Sequence, residues 1–223
     1  MHPQSKKPSP MKPRWQRRKD ARPEEIVTAA LQVFAQHGFA AARLDDVAKE
    51  AGVTKGTIFL YFENKEALFQ EVVRQTVVPI LAAAEQEVRD WKGSSATLLR
   101  HMVQGWWTTV GKGSLAGVVK LIVAEATNFP ELTRFYYKEV IRRGHQLFAQ
   151  ALQRGVDSGE FRQVDVLLTI RLVIAPMLMA VVHSQSLYRC IREPFDGDRY
   201  VEAHLDMLLR GLAPTPIGEL NHA

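Results

Sequence analysis

Cysteine is nearly absent from this sequence, which contains only Cys190 in 223 residues. A single cysteine excludes an internal disulfide framework and is typical of proteins in a reducing compartment. Because no histidine and acid motif accompanies Cys190, we expect a packed or incidental thiol rather than a reactive one.

Long apolar segments are also missing. The longest wholly apolar run, Leu172 to Val182, has 11 residues and contains Pro176. That length is too short to span a bilayer and is typical of a buried helix. The basic first 22 residues are not followed by the apolar segment that an export signal requires. We therefore expect a cytoplasmic protein with no membrane partner.

Strand-like alternation of apolar and polar residues is lacking, whereas apolar residues recur with a 3.6-residue period from Glu24 onward. The expected fold class is therefore all-α. The first helix is predicted to begin at Pro23 and to end at Gly38. Further helices are predicted over residues 45–51, 55–61, 65–89, 95–110, 114–128, 130–158, 164–187 and 198–212. Asn64 is the expected cap of the fourth helix, and Pro79 is expected to kink or break it.

Enzyme and metal-site motifs are lacking as well. The glycines of GKGSLAG, residues 111–117, do not have the dinucleotide-binding spacing, and no strand precedes them. The 7 histidines form no H-x-x-x-H set, and the single E-x-x-H spacing, Glu219 to His222, has no second pair beside it. The sequence contains neither a nucleophile elbow nor a Walker lysine. We expect no enzyme activity, no metal and no cofactor.

Positive charge is concentrated at one end of the chain. The net charge is +5, to which residues 1–22 contribute +7, residues 23–69 contribute −3 and the rest contributes +1. An arm that carries Arg14, Arg17 and Arg18 has the charge to follow a phosphate backbone or to enter a minor groove. A solvated tail without a partner explains the same composition, and the sequence leaves both interpretations open.

The stretch AGVTKGTIFLYF alternates small polar groups with large rings. Thr54 is placed to cap a short helix that runs to about Tyr61, and Gly52 suits a left-handed turn before it. Ile58 and either Tyr61 or Phe62 face inward on such a helix. Because a helix of this length is marginal alone, packing on the two preceding helices must stabilise it.

The other residues of this helix are predicted to project outward and to suit a DNA-reading surface. Lys55, Thr57 and Phe59 lie near its exposed end. The backbone N–H groups and the Thr54 hydroxyl can bind a phosphate, and Gly56 lets the backbone approach a duplex closely. Lys55 and Thr57 then reach base edges or phosphates in the major groove. Taken one at a time, each of these residues is explained by a helix cap or a solvent-exposed position. Their combined spacing favours a DNA-binding surface.

The segment LDDVAKEAGVTKGTIFLYFENKEALF, Leu44 to Phe69, resembles the helix-turn-helix signature of TetR/AcrR-type transcriptional regulators, and the resemblance extends back through EEIVTAALQVFAQHGF. It implies a bacterial regulator with a three-helix DNA-binding domain and a C-terminal helical bundle that dimerises and usually holds a small effector. On DNA it would be associated with the nucleoid. The arm, helix-turn-helix domain, regulatory and dimerisation domain and flexible tail are then residues 1–22, 23–69, 70–213 and 214–223.

The resemblance also implies DNA-binding roles for the positions that match the family motif. The DNA-facing start of the third helix is matched by Thr54, Lys55, Gly56 and Thr57. Tyr61 and Lys65 match positions that contact backbone phosphate.

Two residues depart from the family pattern. Phe59 stands where many members have tyrosine, so a phosphate-binding hydroxyl is missing there. Arg43 stands where serine or threonine usually caps the second helix, a cap typically worth about 1 kcal/mol. We expect Arg43 to bind phosphate directly and Asp45 to replace the cap in part.

Aromatic and methionine side chains of the C-terminal domain are the candidates for lining an effector pocket. They are Met102, Trp106, Trp107, Phe129, Tyr137 and Met177. The bend at Pro79 favours a cavity in the bundle, while plain core packing is the alternative for each residue. The chemistry of the effector is left open.

The last two long helices are predicted to form the dimer interface. Val201, Leu205, Leu208 and Leu212 repeat at intervals of 4, 3 and 4, like the seam of a helical bundle. The preceding helix is apolar nearly all round and adds the candidates Leu167, Ile174 and Leu178. A twofold dimer would present two recognition helices about one DNA turn apart and predicts a palindromic operator. The alternative is that both helices bury their apolar faces within one subunit.

The sequence therefore predicts a homodimeric transcriptional regulator that binds double-stranded DNA sequence-specifically. It is expected to act as a repressor that a small molecule releases from its operator. The alternative is a DNA-binding dimer whose C-terminal domain binds a protein partner and no metabolite. An enzyme with a vestigial helix-turn-helix has no residues to support it.

Overall fold

The computed structural model of the protein describes residues 23–191 and 194–214, and every regular element in these ranges is helical. The prediction of an all-α fold is confirmed. The α-helices are α1 (Pro23–Ala41), α2 (Leu44–Glu50), α3 (Lys55–Phe59), α4 (Lys65–Thr76), α5 (Val78–Asp90), α6 (Ser95–Trp106), α7 (Leu115–Glu125), α8 (Pro130–Tyr136), α9 (Arg142–Asp157), α10 (Val166–Val182), α11 (Tyr188–Ile191) and α12 (Gly197–Leu212).

Three of the predicted helices contain π-helical turns that periodicity did not reveal. These turns are π1 (Trp107–Gly111) after α6, π2 (Tyr137–Ile141) between α8 and α9, and π3 (His183–Leu187) after α10. A π-turn adds a residue to one turn of a helix and shifts the faces on either side of it. The predicted spans over 95–110, 130–158 and 164–187 are therefore close in extent but change register partway.

Glycine and proline interrupt the helices where the sequence predicts. Gly38 has φ 76° and ψ 171° inside α1, so the helix breaks there, although one more helical turn continues to Ala41. The predicted fourth helix is broken at Val77, and Pro79 falls in the first turn of α5, where its missing N–H is not needed. The long predicted helix is thus two shorter ones, α4 and α5.

The first helices share their core with α7 and α8. The rings of Phe34, Phe39 and Phe69 have centroids 5.5–5.6 Å apart, and Phe129 lies 4.8 Å from Phe39 in an edge-on contact. We call this cluster, with the buried faces of α7 and α8, the N-terminal core. A second cluster, the C-terminal core, contains Leu99, Val103, Leu152, Val173, Met177 and Leu205. The first three helices are therefore not an independent module joined by a linker.

The backbones of α1 and α7 come close at Gly117. A Cβ atom added to Gly117 would lie 2.6 Å from the Cβ atom and 2.8 Å from the Cα atom of Ala35, closer than real side chains approach. Only glycine fits at this crossing. The contact ties α1 directly to α7.

Glu160 joins the segment after α9 to the start of α6. Its carboxylate accepts hydrogen bonds from the backbone N–H groups of Ser95 (2.6 Å) and Ala96 (2.7 Å). Burial raises the pKa of Glu160, but the hydrogen bonds from Ala96 and Ser95 lower the pKa by more, so the net change is downward. The carboxylate thus satisfies two donors that a helix start leaves without partners.

We expect Glu160→Gln to make the stability of the chain less dependent on pH. Because the pKa of Glu160 is lowered in the folded chain, its stabilisation is present above the unfolded pKa of about 4.3 and is lost as the pH falls through the folded pKa. The variant should be less stable than the wild type at neutral pH, and the gap should narrow below about pH 4. Urea unfolding across this range measures the gap, with the exposed Glu63→Gln as control. A gap that does not change with pH would contradict the assignment.

Candidate nucleic-acid interface

The start of α3 is built by two threonines and a glycine. The Thr54 hydroxyl accepts a hydrogen bond from the backbone N–H of Thr57 at 3.2 Å, which confirms Thr54 as the cap. Gly52 has φ 69°, as predicted for the turn between α2 and α3. Local chemistry therefore fixes where this short helix begins and how it leaves α2.

Apolar side chains hold α3 against the core. Ile58 is 0% exposed, as predicted, and Val53 just before the helix is 3% exposed. Of the two candidates at the end of the helix, Phe62 is buried at 7% and Tyr61 is 48% exposed. The structure therefore assigns the inward position to Phe62 and leaves the Tyr61 ring open.

The prediction that Thr57 projects outward is wrong. Thr57 is 8% exposed, and its hydroxyl lies 2.9 Å from the hydroxyl oxygen of Thr54. Thr57 and Ile58 are the buried residues of α3, so this side of the short helix faces the chain's own interior. The Thr57 side chain therefore supports the cap of the helix rather than a solvent-facing surface.

Lys55 is exposed, as predicted, but it has a partner within the domain. Its Nζ atom donates to Oδ2 of Asp45 at 2.9 Å and so links α3 to α2. The hydrogen bond from Lys55 lowers the pKa of Asp45. Arg43 precedes α2 without a side-chain cap bond, as predicted. The Asp45 carboxylate in the first turn of α2 pairs with Lys55.

Lys65 has internal partners that the sequence did not reveal. Its Nζ atom donates to the backbone carbonyls of Phe39 at 2.6 Å, Ala42 at 3.1 Å and Ala40 at 3.3 Å. It also lies 4.5 Å from the centroid of the Phe39 ring. The ammonium group thus satisfies carbonyls at the end of α1, where a helix leaves them without partners. Asn64 caps α4, as predicted, by accepting from the N–H of Ala67 at 2.7 Å.

The exposed surface of α3 is mainly apolar. Phe59 is 49% exposed, Leu60 is 79% exposed and Tyr61 is 48% exposed, and Gly56 is open beside them. Sequence reasoning singled out Phe59 and Tyr61 but not Leu60, although helical spacing from Gly56 would have found it. We call Gly56, Phe59 and Leu60 the apolar reading face.

Two family descriptions match most of the chain. Residues 26–72 match "Bacterial regulatory proteins, tetR family", and residues 91–188 match "Tetracyclin repressor-like, C-terminal domain". The chain belongs to the TetR family. It is accordingly a DNA-binding transcriptional regulator with an N-terminal helix-turn-helix domain and a C-terminal helical domain.

Relatives of this TetR-family chain support the assignment. The HTH-type transcriptional regulator YfiR of Bacillus subtilis is 30% identical over 156 residues, which cover 68% of this chain and 74% of YfiR. The fatty acid metabolism regulator protein of the same organism is 27% identical over 158 residues, which cover 70% and 80%. The crystal structure of FadR from Bacillus subtilis in complex with stearoyl-CoA has the same fold, with a TM-score of 0.68 at 21% identity over 85% of this chain and 98% of FadR.

The six predicted pocket residues of this TetR-family regulator are divided between the two cores and the surface. Phe129 packs in the N-terminal core and Met177 in the C-terminal core, while Tyr137 is 53% exposed. Met102 and Trp106 are half-buried against the C-terminal core. A cavity of about 350 Å³ between π1, π3 and the start of α12 is lined by Trp107 but by none of the other five. The sequence identified these apolar and aromatic side chains as candidates, but it could not show which of the two cores each one joins.

The predicted seam of α12 faces its own subunit. Val201, Leu205 and Leu212 are 0–3% exposed and belong to the C-terminal core, and Leu208 packs against it. Ile174 and Leu178 of α10 are half-buried against the same core, whereas Leu167 is 74% exposed. The assignment of Val201, Leu205 and Leu212 to a dimer interface is therefore wrong.

Proposed function

We propose that this chain is a homodimeric repressor that binds a palindromic operator and leaves it when a small molecule binds its C-terminal domain. The observation that carries the proposal is the open surface of α3, where Phe59, Leu60 and Tyr61 lie beside a capped first turn. The match of residues 26–72 to bacterial regulatory proteins supports the same surface. Side chains that are about half exposed or more at the end of this short helix are available to a groove of DNA.

Other predicted contacts with DNA remain part of the proposal. We propose that Arg43 and Tyr61 bind backbone phosphate and that the basic arm adds further contacts, which salt would screen. Arg14, Arg17 and Arg18 of this arm lie outside the described residues. The proposed location is the cytoplasm, with the regulator on the nucleoid when it is bound.

The proposed dimer interface is the exposed apolar face of α10, together with one residue of α12. Leu167, Leu168, Leu172 and Met179 are between 44% and 74% exposed, and Met207 of α12 is 74% exposed. Several large exposed apolar side chains on one helix, beside the exposed Arg171, are typical of a protein–protein interface. A twofold axis through this face would bring two copies of α3 to one side of the dimer.

The composition of α10 fits an interface helix. Two helical stretches, Lys65–Asp90 and Val166–Ser186, are long and apolar enough by composition to cross a membrane. In the second stretch, Ile170, Val173 and Met177 pack into the C-terminal core. Because one side of this helix is part of a folded core, we assign its open side to a second subunit.

The effector is proposed to act by a shift between two conformations. A ligand that prefers a conformation with the two α3 helices wrongly spaced weakens DNA binding by its difference in affinity for the two states. The shared N-terminal core and the contact of Gly117 with Ala35 connect the two domains. Because a relative is named for fatty acid metabolism and FadR was solved with stearoyl-CoA, we propose acyl-CoA esters as the effector class.

The test begins with selection of bound sites from random duplexes by the full chain. We expect a palindromic site, and we expect Arg43→Ala and Tyr61→Ala to weaken binding to it by about tenfold each. Loss of the Arg43 contact should reduce the slope of log affinity against log salt by about 0.9. Lys138→Ala, an exposed position on π2, is the control. Equal affinity of all three variants and the wild type would contradict the assigned surface.

The effector is tested on the complex with the selected duplex. Stearoyl-CoA should release the DNA, whereas CoA and stearate added separately should not. If none of the three compounds releases DNA, the acyl-CoA assignment is wrong, although the repressor function stands on the selected site.

A further inference from the structure

We propose that α3 recognises its operator through the C5-methyl groups of thymine, which Phe59 and Leu60 contact in the major groove. This inference rests on the proposed function, since it requires that α3 face DNA. It goes beyond the proposed function by naming thymine as the base that α3 recognises. Thymine is the only base of DNA that presents a methyl group in the major groove.

The polar side chains of α3 have partners within the protein. The hydroxyl groups of Thr54 and Thr57 lie 2.9 Å apart, and Thr57 is buried. Lys55 donates to the carboxylate of Asp45 at 2.9 Å. The two hydroxyls are engaged with each other, whereas Lys55 uses one of the three N–H donors of its ammonium group on Asp45. The rest of the exposed surface of α3 and its C-terminal end is mainly apolar.

None of the described residues covers the apolar reading face. Gly56, Phe59 and Leu60 are spaced i, i+3 and i+4, which places them on one side of the helix. Leu60 is 79% exposed, the highest value among the exposed large apolar side chains of the described residues. A Cβ atom added to Gly56 would meet only the Thr54 hydroxyl oxygen, at 3.7 Å, so the approach to the backbone is open.

An exposed apolar side chain gains most from an apolar partner. Contact between Leu60 or Phe59 and a thymine methyl removes apolar surface of both from water. A guanine or cytosine edge at the same position offers donors and acceptors but no methyl group, so it gives no such gain. The apolar reading face adjoins the open Tyr61, two residues after the end of α3, which we assign to phosphate. The proposed partner is therefore a thymine-containing half-site.

The test removes single methyl groups from the DNA. In the duplex selected from random sequences, each thymine is replaced in turn by deoxyuridine, which lacks only the C5-methyl group. At one or two positions in each half-site we expect the affinity to fall about fourfold, which is the effect of exposing one methylene-sized group. Deoxyuridine elsewhere in the site should have no effect.

Paired variants locate the contact on the protein. With Leu60→Ala or Phe59→Ala, the loss caused by deoxyuridine at the corresponding position should disappear, because the methyl group no longer has a partner. Val123→Ala, which shortens a 55% exposed side chain on α7, should keep the full loss. Circular dichroism and the mass of the dimer confirm that each variant is folded and assembled.

The outcomes separate this inference from the proposed function. A selected site that tolerates deoxyuridine at every position, or a loss that persists in both variants, would overturn the inference and leave the DNA-binding function intact. Failure to select any site would overturn the proposed function together with the inference. A loss that is confined to certain thymines and absent from a variant would support it.

Discussion

Leu172→Glu is expected to convert the protein to monomers and to lower its affinity for the operator by about 100-fold or more. Leu172 is 59% exposed at the middle of α10, within the apolar face that we assign to the second subunit. A carboxylate there must either be buried without a partner or keep the subunits apart. Because a dimer binds two half-sites at once, separate subunits lose the gain from joint binding, which is commonly 10²–10⁴-fold. Sedimentation and anisotropy measure the two effects.

A matched charge at another site isolates the interface. Val123→Glu places the same carboxylate on a side chain that is 55% exposed on α7. We expect this variant to remain dimeric and to keep its affinity for DNA. If both variants sediment as the wild type does, the apolar face of α10 is not the interface.

Lys65→Met is expected to lower the free energy of unfolding by about 2–3 kcal/mol, the cost of leaving carbonyls without a charged donor. Lys65 donates to three backbone carbonyls at the end of α1 and lies against the Phe39 ring. Methionine keeps most of the length of the side chain but removes the donor. Urea unfolding of the wild type and the variant gives the difference directly.

Stability and DNA contact can be separated for this lysine. Lys49→Met, an exposed lysine of α2, is the control and should unfold with the wild type. If Lys65 serves only to bind phosphate, Lys65→Met will unfold with the wild type and lose affinity for DNA alone. We expect instead that the main effect of Lys65→Met is a loss of stability rather than a loss of affinity for DNA.

The local features of the DNA-binding domain were predictable from sequence. Thr54 and Asn64 cap their helices because a cap depends on residues three positions apart. Gly52 takes a positive φ, and Pro79 sits where one helix has just begun, for reasons that lie in their own backbones. Each of these features depends on residues within about one turn of the chain, so the local sequence is enough to predict it.

Features that depend on distant segments were not predictable in the same way. Lys65 meets carbonyls 23–26 residues earlier in the chain, a contact that no spacing pattern describes. Periodicity placed Val201 and Leu205 correctly on one face of α12, but it could not show whether that face meets its own subunit or another. Thr57 was predicted to be exposed because its chemistry suits DNA, whereas packing of the short helix turned it inward.

No change of rotamer can absorb a shift where α1 crosses α7, because Gly117 has no side chain and Ala35 has only a methyl group. Side chains at most helix crossings yield when the helices slide, and so they damp the movement. Here the two helices approach too closely for a side chain at Gly117, so a displacement of α7 towards α1 at this point must move α1 as well. The position of the DNA-binding domain therefore depends directly on the position of α7 at Gly117.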